Sequence, residues 1–243
     1  MATPKKAVAE KETKALAVID NSVFDLQAIS DGSKDIQDNL DQIQIVLPQI
    51  KIIHQGQIFE MPDGSKAETF EGIILDFNRV NSYWPAAFES GSGQPPVCFS
   101  TDVIRPSPFS AELQSDFCAS CPQNKPGSDP KGTRGRACKN KMRVHVILDK
   151  GQLLPYRLML SGANLMPFSK FISSMVAKGY PWRMVWAQFG LKKVKNADGI
   201  EYSEIDIKAV SSIAPDQAAI SKRISESLQP ILRDTASMAV ADE

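Results

Sequence analysis

This chain lacks the features that would indicate an enzyme or a membrane protein. Its 243 residues include only two histidines, and no G-x-S-x-G, Walker A or H-E-x-x-H motif is present. No pair of carboxylates has a spacing that singles it out for acid–base chemistry. Because there is also no run of 18 apolar residues, we expect neither catalytic activity nor a membrane-spanning helix.

The first residues also lack the pattern of a secretion signal. Residues 1–12 are charged and contain no apolar segment of the kind that signal peptides carry. We therefore expect a cytoplasmic protein. In that reducing compartment, clustered cysteines are more often metal ligands than disulfide partners.

Cysteine is scarce, and all of it falls between residues 98 and 138. Cys118 and Cys121 form a C-x-x-C knuckle, which lets one tight turn present two thiolates to a single ion. With Cys98 and Cys138, they make up the four ligands that a structural zinc site requires. We predict one zinc ion bound by these four residues.

Two alternatives to this zinc site stay open. Four thiolates also suit an iron–sulfur cluster. In a partial or metal-free arrangement, Cys98 would be a buried strand residue, and His54 or His145 would be the substitute ligand.

Charge is balanced overall but segregated along the sequence. The chain has 28 basic and 28 acidic residues, so it is not a globally basic nucleic-acid binder. From Cys118 to Arg143, however, there are seven basic residues and one acid, Asp129. Such an excess is typical of a phosphate-binding surface, and the alternative is a solvated loop that its lysines keep soluble. The basic residues are Lys125, Lys131, Arg134, Arg136, Lys139, Lys141 and Arg143.

Several aromatic residues that lie close in sequence to basic residues are candidates for base stacking. Proteins that bind single strands combine a basic groove for the phosphates with aromatic rings for the bases. For each tryptophan, packing in the core is the alternative. From Trp182 onward, alternate residues occupy opposite faces of a strand, and either face fits the core. The predicted nucleic-acid-binding set is Tyr83, Trp84, Lys131, Arg134, Arg136, Lys139, Lys141, Arg143, Tyr156, Arg157, Trp182 and Trp186.

The order of predicted elements indicates a mainly β (α+β) fold. The strands are Phe70–Val80, Lys141–Asp149, Gln152–Leu160, Trp182–Val194 and Ile200–Ile213. A helix at Asn164–Lys178 follows the third strand, and Gly179 ends it. Its buried stripe is predicted to be Leu165, Phe168, Ile172 and Val176. This is the order of an OB-fold barrel, with a C-terminal helix at 216–232 added.

In domain terms, residues 1–46 are predicted as a flexible arm and residues 47–232 as the OB-like domain. The metal-binding insertion occupies about residues 96–140, between strands one and two. Residues 233–243 are predicted as a short tail.

The topology and the placement of the cysteines resemble the zinc-containing OB domain in the large subunit of replication protein A, which binds single-stranded DNA. At sequence level the chain resembles a family of small proteins carried by bacteriophages and integrative elements. That resemblance covers most of residues 47–230, and its most specific parts are C-x-x-C-P-x-N at 118–124 and A-C-K-N at 137–140. Similar proteins tend to have Ser-x-Asp-Gly after the first cysteine, whereas this chain has Val103 in place of the glycine. The other matching segments are 47–52, 70–74, 83–84 and 95–100.

Together these observations predict a single-stranded DNA-binding protein of phage or mobile-element replication or recombination. Its expected partners are single-stranded DNA and replication or recombination proteins, in the cytoplasm of a host cell. The alternative is a protein–protein interaction module that captures a host replication or transcription factor. A structural zinc ion and a charged surface fit either hypothesis.

Overall fold

A computed structural model describes residues 29–32, 45–54, 56–85, 95–148, 152–195, 199 and 201–233. Most of the predicted arm at 1–46 and nearly all of the predicted tail at 233–243 lie outside these residues. Within them, no helix is both long enough and apolar enough to cross a membrane.

The described chain is mainly β, and its alternating sequence patterns form most of the strands. The strands are β1 (Gln49–Ile53), β2 (Ile58–Glu60), β3 (Lys66–Ala67), β4 (Thr69–Tyr83), β5 (Cys98–Ser100), β6 (Lys139–Ile147), β7 (Tyr156–Ser161), β8 (Val185–Lys195) and β9 (Glu201–Ser212). The α-helices are α1 (Leu165–Ala177), α2 (Pro215–Ser227) and α3 (Gln229–Leu232). Short 3-10 turns lie at Pro122–Asn124, Gly162–Asn164 and Trp182–Met184.

These strands form one curled, mixed sheet, a half-barrel with the order β3-β2-β1-β7-β6-β4-β8-β9. Strand β5 is added beside β4. All pairs are antiparallel except β1 with β7, which is parallel and places Gln49 opposite Arg157. The prediction of a mainly β fold with few helices is confirmed. The closed barrel is not seen, because no backbone ladder joins β7 to β9 among the described strands.

The sheet curls because the long strand β4 pairs with two different neighbours. Its first part, Thr69–Ile73, pairs with β8, and the part from Ile73 to Ser82 pairs with β6. A register shift between Ile74 and Asp76 marks the bend. Gly72 lies just before it, and a Cβ atom there would be 2.5 Å from the Ile147 carbonyl oxygen. The close approach of β6 at the bend therefore requires glycine.

The concave side of the sheet holds the main core. Phe70 stacks on Phe189 at 4.7 Å between ring centroids, and Phe59 meets Phe70 edge-on at 4.8 Å. Helix α1 closes this side with Phe168, Phe171 and Met175. These contacts put most of the large apolar side chains of the domain in one cluster.

The buried stripe of α1 is narrower than the sequence predicts. Phe168 is fully buried, but Val176 is 53% exposed, so the prediction for Val176 is wrong. Leu165 and Ile172 are half-buried. Only one side of the helix faces the sheet, and Val176 lies past its edge. The predicted end is confirmed: Gly179 has φ +81°, and the Tyr180 amide donates to the Met175 carbonyl at 2.9 Å.

The convex side of the sheet is covered as well. A second apolar cluster joins Ile73, Leu75 and Ile147 of the sheet to α2 and α3. The sequence did not show which face of β8 points to the main core, and the structure with both sides covered does. Val185, Ala187 and Phe189 are buried against the main core.

Two boundaries differ from the sequence-based expectation. Trp182–Met184 is a 3-10 turn, so β8 begins at Val185 rather than at Trp182. The C-terminal helix is interrupted at Leu228, between α2 and α3. Beside it, Asp76 of the sheet accepts two hydrogen bonds of 3.1 Å from Arg233.

Candidate nucleic-acid interface and cysteine module

Residues 96–140, which we call the cysteine module, connect β4 to β6. The short strand β5 pairs with the end of β4, so that Cys98 lies opposite Tyr83. The following segment folds back along β5: the Ser107 amide donates to the Phe99 carbonyl at 2.7 Å, and the Glu112 amide donates to the Val97 carbonyl at 2.9 Å. These backbone bonds attach an otherwise irregular module to the sheet.

All four cysteines line one small cavity in this module. Its volume is about 20 Å³, and its walls include Asn81, Ser100 and Asn124 as well as the cysteines. Every cysteine is a free thiol; three of them are buried, and Cys98 is half-buried. Among the described residues, no three His, Cys, Asp or Glu side chains are close enough to form a preassembled metal-ligand group. The cysteines therefore share a cavity without yet making a ligand cluster.

The cavity disfavours ionised thiols. Burial raises the pKa of Cys138 to about 12, and the neighbouring Cys121 and Cys118 add to the effect. Burial also raises the pKa of Cys118. The thiols of Cys118 and Cys138 therefore stay protonated unless a cation compensates for the loss of solvation.

A pair of asparagines holds the two halves of the cavity together. Asn124 ends the C-x-x-C-P-x-N motif, and its side-chain amide donates to the Cys118 carbonyl at 2.9 Å. Asn140 ends the A-C-K-N motif, and its amide donates to the Asn124 side-chain oxygen at 2.8 Å. Arg136 donates to the same oxygen at 3.1 Å. The two most specific motifs of the sequence are therefore joined by this side-chain hydrogen bond and by the backbone bond from the Cys138 amide to the Gln123 carbonyl at 2.8 Å.

The turn after Cys98 contains Val103, which stands where similar proteins tend to have glycine. Asp102 accepts hydrogen bonds from the Ser100 hydroxyl at 2.9 Å and from the Ile104 amide at 2.8 Å. Val103, between Asp102 and Ile104 in the sequence, adopts a backbone φ of +56°. A β-branched residue is strained in this left-handed conformation, which glycine adopts freely.

The basic residues of the module are exposed. Among the described residues, the side chains of Lys125, Lys131 and Arg134 form no hydrogen bond or salt bridge, although the charge of Lys131 helps to lower the pKa of the nearby Asp129. By contrast, Lys192 and Lys208 on β8 and β9 pair with carboxylates at 2.8 and 3.1 Å. Arg136 and Lys139 are also exposed, although both contact the module itself. The positive charge of the module is therefore available to an external anion.

One aromatic residue of the predicted set lies beside a lysine at the start of β6. Trp84 follows the last residue of β4, and the Lys141 ammonium group is 5.5 Å from the centroid of its ring. Lys141 and Lys139 lie opposite Val80 and Ser82 of β4, so both lysines share one face of the sheet. Tyr83, the residue before Trp84, is half-buried and lines the cysteine cavity. The structure brings Trp84, Lys139 and Lys141 together at the edge of the module.

Other members of the predicted set lie elsewhere. Arg143 is completely buried and Arg157 is 3% exposed, so neither is at the surface to contact a phosphate. Tyr156 and Trp182 pack against the main core. Trp186 packs in the second cluster, and its indole N–H donates to Glu71 at 2.8 Å. The sequence pattern wrongly predicted that these residues are at the surface. Residues on either face of this sheet can be buried, because both faces are covered.

Sequence reasoning also missed an exposed apolar segment in the module. Four large apolar side chains are between 45% and 76% exposed; they are Ile104, Phe109, Leu113 and Phe117. The Arg105 guanidinium group lies 4.6 Å from the centroid of the Phe117 ring. The signal for this surface was the presence of isolated large apolar residues in a loop without strand or helix periodicity.

Comparisons of this chain with protein-family models, with curated proteins and with solved structures find no match. The class of protein has to be inferred from the fold and from the surface of the module.

Proposed function

We propose that this protein binds single-stranded DNA, on a variant of the OB-fold in which β1 takes the place of barrel closure. The five strands β7-β6-β4-β8-β9 are neighbours in the order three-two-one-four-five, and α1 lies between the third and the fourth. An OB-fold is a partly open five-stranded barrel with Greek-key order. In this chain, β1 pairs with the edge of β7 that would otherwise be free.

The proposed position of the DNA follows from this fold. OB-folds bind oligonucleotides on strands two and three and on the loops that join strands one and two and strands four and five. Here the loop between strands one and two is the cysteine module, and strand two begins with Lys139. Since Arg143 and Arg157 further along these strands are buried, the proposed surface is the module and the first residues of β6.

The observation that carries this proposal is a group of exposed cations in a module whose edge also carries a half-buried indole. Lys125 and Arg134 form no ion pair among the described residues, Lys131 has only the electrostatic attraction of Asp129, and the Lys141 ammonium group is 5.5 Å from the centroid of the Trp84 ring. Phosphates of a single strand require such cations, and its bases require such a ring. The alternative interpretation, a loop that is basic only for solubility, does not account for an aromatic ring next to a lysine at this position.

The test neutralises three cations that stabilise nothing visible in the fold. In the triple variant Lys125→Ala, Lys131→Ala and Arg134→Ala, the slope of log affinity against log salt should flatten by about two units. Each single-strand phosphate that a cation neutralises contributes about 0.7 units to this slope. Fluorescence anisotropy with labelled oligo-dT measures the affinity at several salt concentrations.

The matched control removes three lysines that are ion-paired on the surface. Lys192, Lys208 and Lys222 each pair with a carboxylate of the same protein. Their combined replacement by alanine removes the same formal charge, but it should leave the slope nearly unchanged. If both triple variants flatten the slope equally, net charge rather than the module explains the binding.

The exposed apolar segment favours a second candidate function, capture of a protein partner. Phe109 is 76% exposed, and the acids Glu112 and Asp116 nearby are exposed too. Carboxylates repel phosphates, so this side of the module suits a protein surface better than DNA. If this segment binds a protein, the variant Phe109→Ser should keep the wild-type affinity for oligo-dT. In a chemical cross-linking experiment, the same variant should no longer be joined to the protein that the wild type binds. A weaker affinity for oligo-dT would assign Phe109 to base stacking instead.

A further inference from the structure

We infer that the four cysteines bind a single zinc ion, and that the hydrogen bond between Asn124 and Asn140 positions the two halves of its site. This inference does not depend on DNA binding, because it rests on the cysteine cavity and on the contacts around it.

The four cysteines come together at one cavity from separate parts of the chain. Cys98 begins β5, Cys118 and Cys121 belong to the knuckle, and Cys138 directly precedes β6. The buried backbone fixes each of these parts: the Cys118 amide donates to the Ile104 carbonyl, and the Cys138 amide donates to the Gln123 carbonyl at 2.8 Å. Four free thiols on anchored backbone around one cavity match the donor set of a closed structural zinc site.

The cavity between the cysteines is small. Its volume of about 20 Å³ corresponds to roughly one body of the size of a water molecule. An iron–sulfur cluster contains several iron and sulfide ions and needs more space than that. Of the metal centres that four thiolates hold, the cavity therefore favours a single ion. In the cytoplasm expected from the sequence, zinc is the usual occupant of a closed site of this kind.

Zinc–sulfur bonds are about 2.3 Å long, so a bound ion would draw the four sulfur atoms together within the cavity that the cysteines line. Cysteine side chains change the position of their sulfur atom by rotation between staggered rotamers.

Asn124 and Asn140 position the parts of the chain that carry the cysteines. Asn124 lines the cavity and holds the Cys118 carbonyl, while Asn140 reaches from the start of β6 to Asn124. The pair thereby connects the knuckle to the strand that follows Cys138. Residues that orient metal ligands without touching the metal commonly change its affinity by about 10–100-fold when they are replaced.

The first experiment measures metal in the full-length wild-type protein. Protein purified without added metal should contain one zinc ion per chain by elemental analysis. After removal of zinc and addition of cobalt, it should show the visible absorption bands of a tetrahedral tetrathiolate cobalt site. Absence of bound metal, one iron ion per chain, or iron together with acid-labile sulfide would each overturn the inference.

The second experiment tests the two asparagines by competition with a chromogenic chelator. Asn124→Ala and Asn140→Ala should each weaken zinc binding by about 10–100-fold. Because the two side chains act through one hydrogen bond, the double variant should be little weaker than either single variant. A cobalt spectrum identical to that of the wild type would show that each variant still forms the tetrahedral site.

A third asparagine provides the control for these variants. Asn78 donates to the Thr101 carbonyl at 3.0 Å, in the same region of β4 and β5, but it does not line the cavity. Asn78→Ala should bind zinc as the wild type does. If Asn78→Ala weakens binding as much as Asn124→Ala, the asparagine pair has no specific role and the inference about it fails. A Cys98→Ser variant that binds zinc with unchanged affinity would contradict the four-cysteine ligand set.

Discussion

Phe168 provides a direct test of how α1 closes the concave side of the sheet. Its side chain is completely buried, and its ring meets the Phe77 ring edge-on, with 5.2 Å between centroids. Truncation of a buried phenylalanine to alanine costs about 3–5 kcal/mol, from lost transfer free energy and the cavity left behind. We expect Phe168→Ala to lower the free energy of unfolding by that amount. This is a large part of the roughly 5–15 kcal/mol that is usual for a domain.

Urea unfolding followed by tryptophan fluorescence and by circular dichroism measures this change. Val176→Ala is the matched control, because Val176 lies on the same helix but is 53% exposed. We expect its effect to be no more than about 0.5 kcal/mol, as for other surface substitutions. If Phe168→Ala costs less than about 1 kcal/mol, or if Val176→Ala costs as much, the orientation of α1 described here is wrong.

Two further predictions concern Val103 and His145. Val103→Gly should raise the free energy of unfolding by about 1 kcal/mol in urea denaturation, because it relieves the left-handed strain at φ +56°; a loss of stability would show that the strain is absent. Burial, then the nearby Arg143, lowers the pKa of His145 to about 3. The unfolded chain takes up this proton near pH 6.5, so stability is complete above that pH and falls as the pH drops toward 3. His145→Gln should flatten the fall measured by urea denaturation at several pH values, and His54→Gln should retain it; equal profiles would exclude His145 as the source.

Local patterns predicted the main strands and α1 to within a few residues. Strand β6, for example, runs from Lys139 to Ile147 where alternation predicted Lys141–Asp149. Period-two alternation is a property of adjacent residues, so a single sequence carries it. The end of α1 at Gly179 was also predictable, since one glycine in the left-handed conformation terminates the helix.

Local sequence patterns did not predict the long-range contacts. The parallel pairing of β1 with β7 joins Ile50 to Leu158, and nothing in either segment specifies the other. The orientation of β8 depends on the cover that α2 provides on the convex side. The burial of Arg143 is likewise a consequence of tertiary packing, because the sequence around it has the alternation of an ordinary half-exposed strand.

The candidate site was predictable in its chemistry but not in its arrangement. Clustering of the cysteines and the local excess of cations are visible in the sequence. The bond between Asn124 and Asn140 is not, because 16 positions separate the two residues. The contact of Trp84 with Lys141 likewise depends on the register of β4 against β6.

The most direct test of the central proposal is a titration of the full-length wild-type protein with oligo-dT of about thirty bases, longer than one OB-fold covers. Tryptophan fluorescence should be quenched at low salt, and the affinity should fall steeply and log-linearly as salt is raised. Duplex DNA of the same length should bind more weakly, because its bases are not free to stack on Trp84. No binding to oligo-dT even at low salt would contradict the proposal and leave protein capture by the apolar segment of the module as the function to pursue.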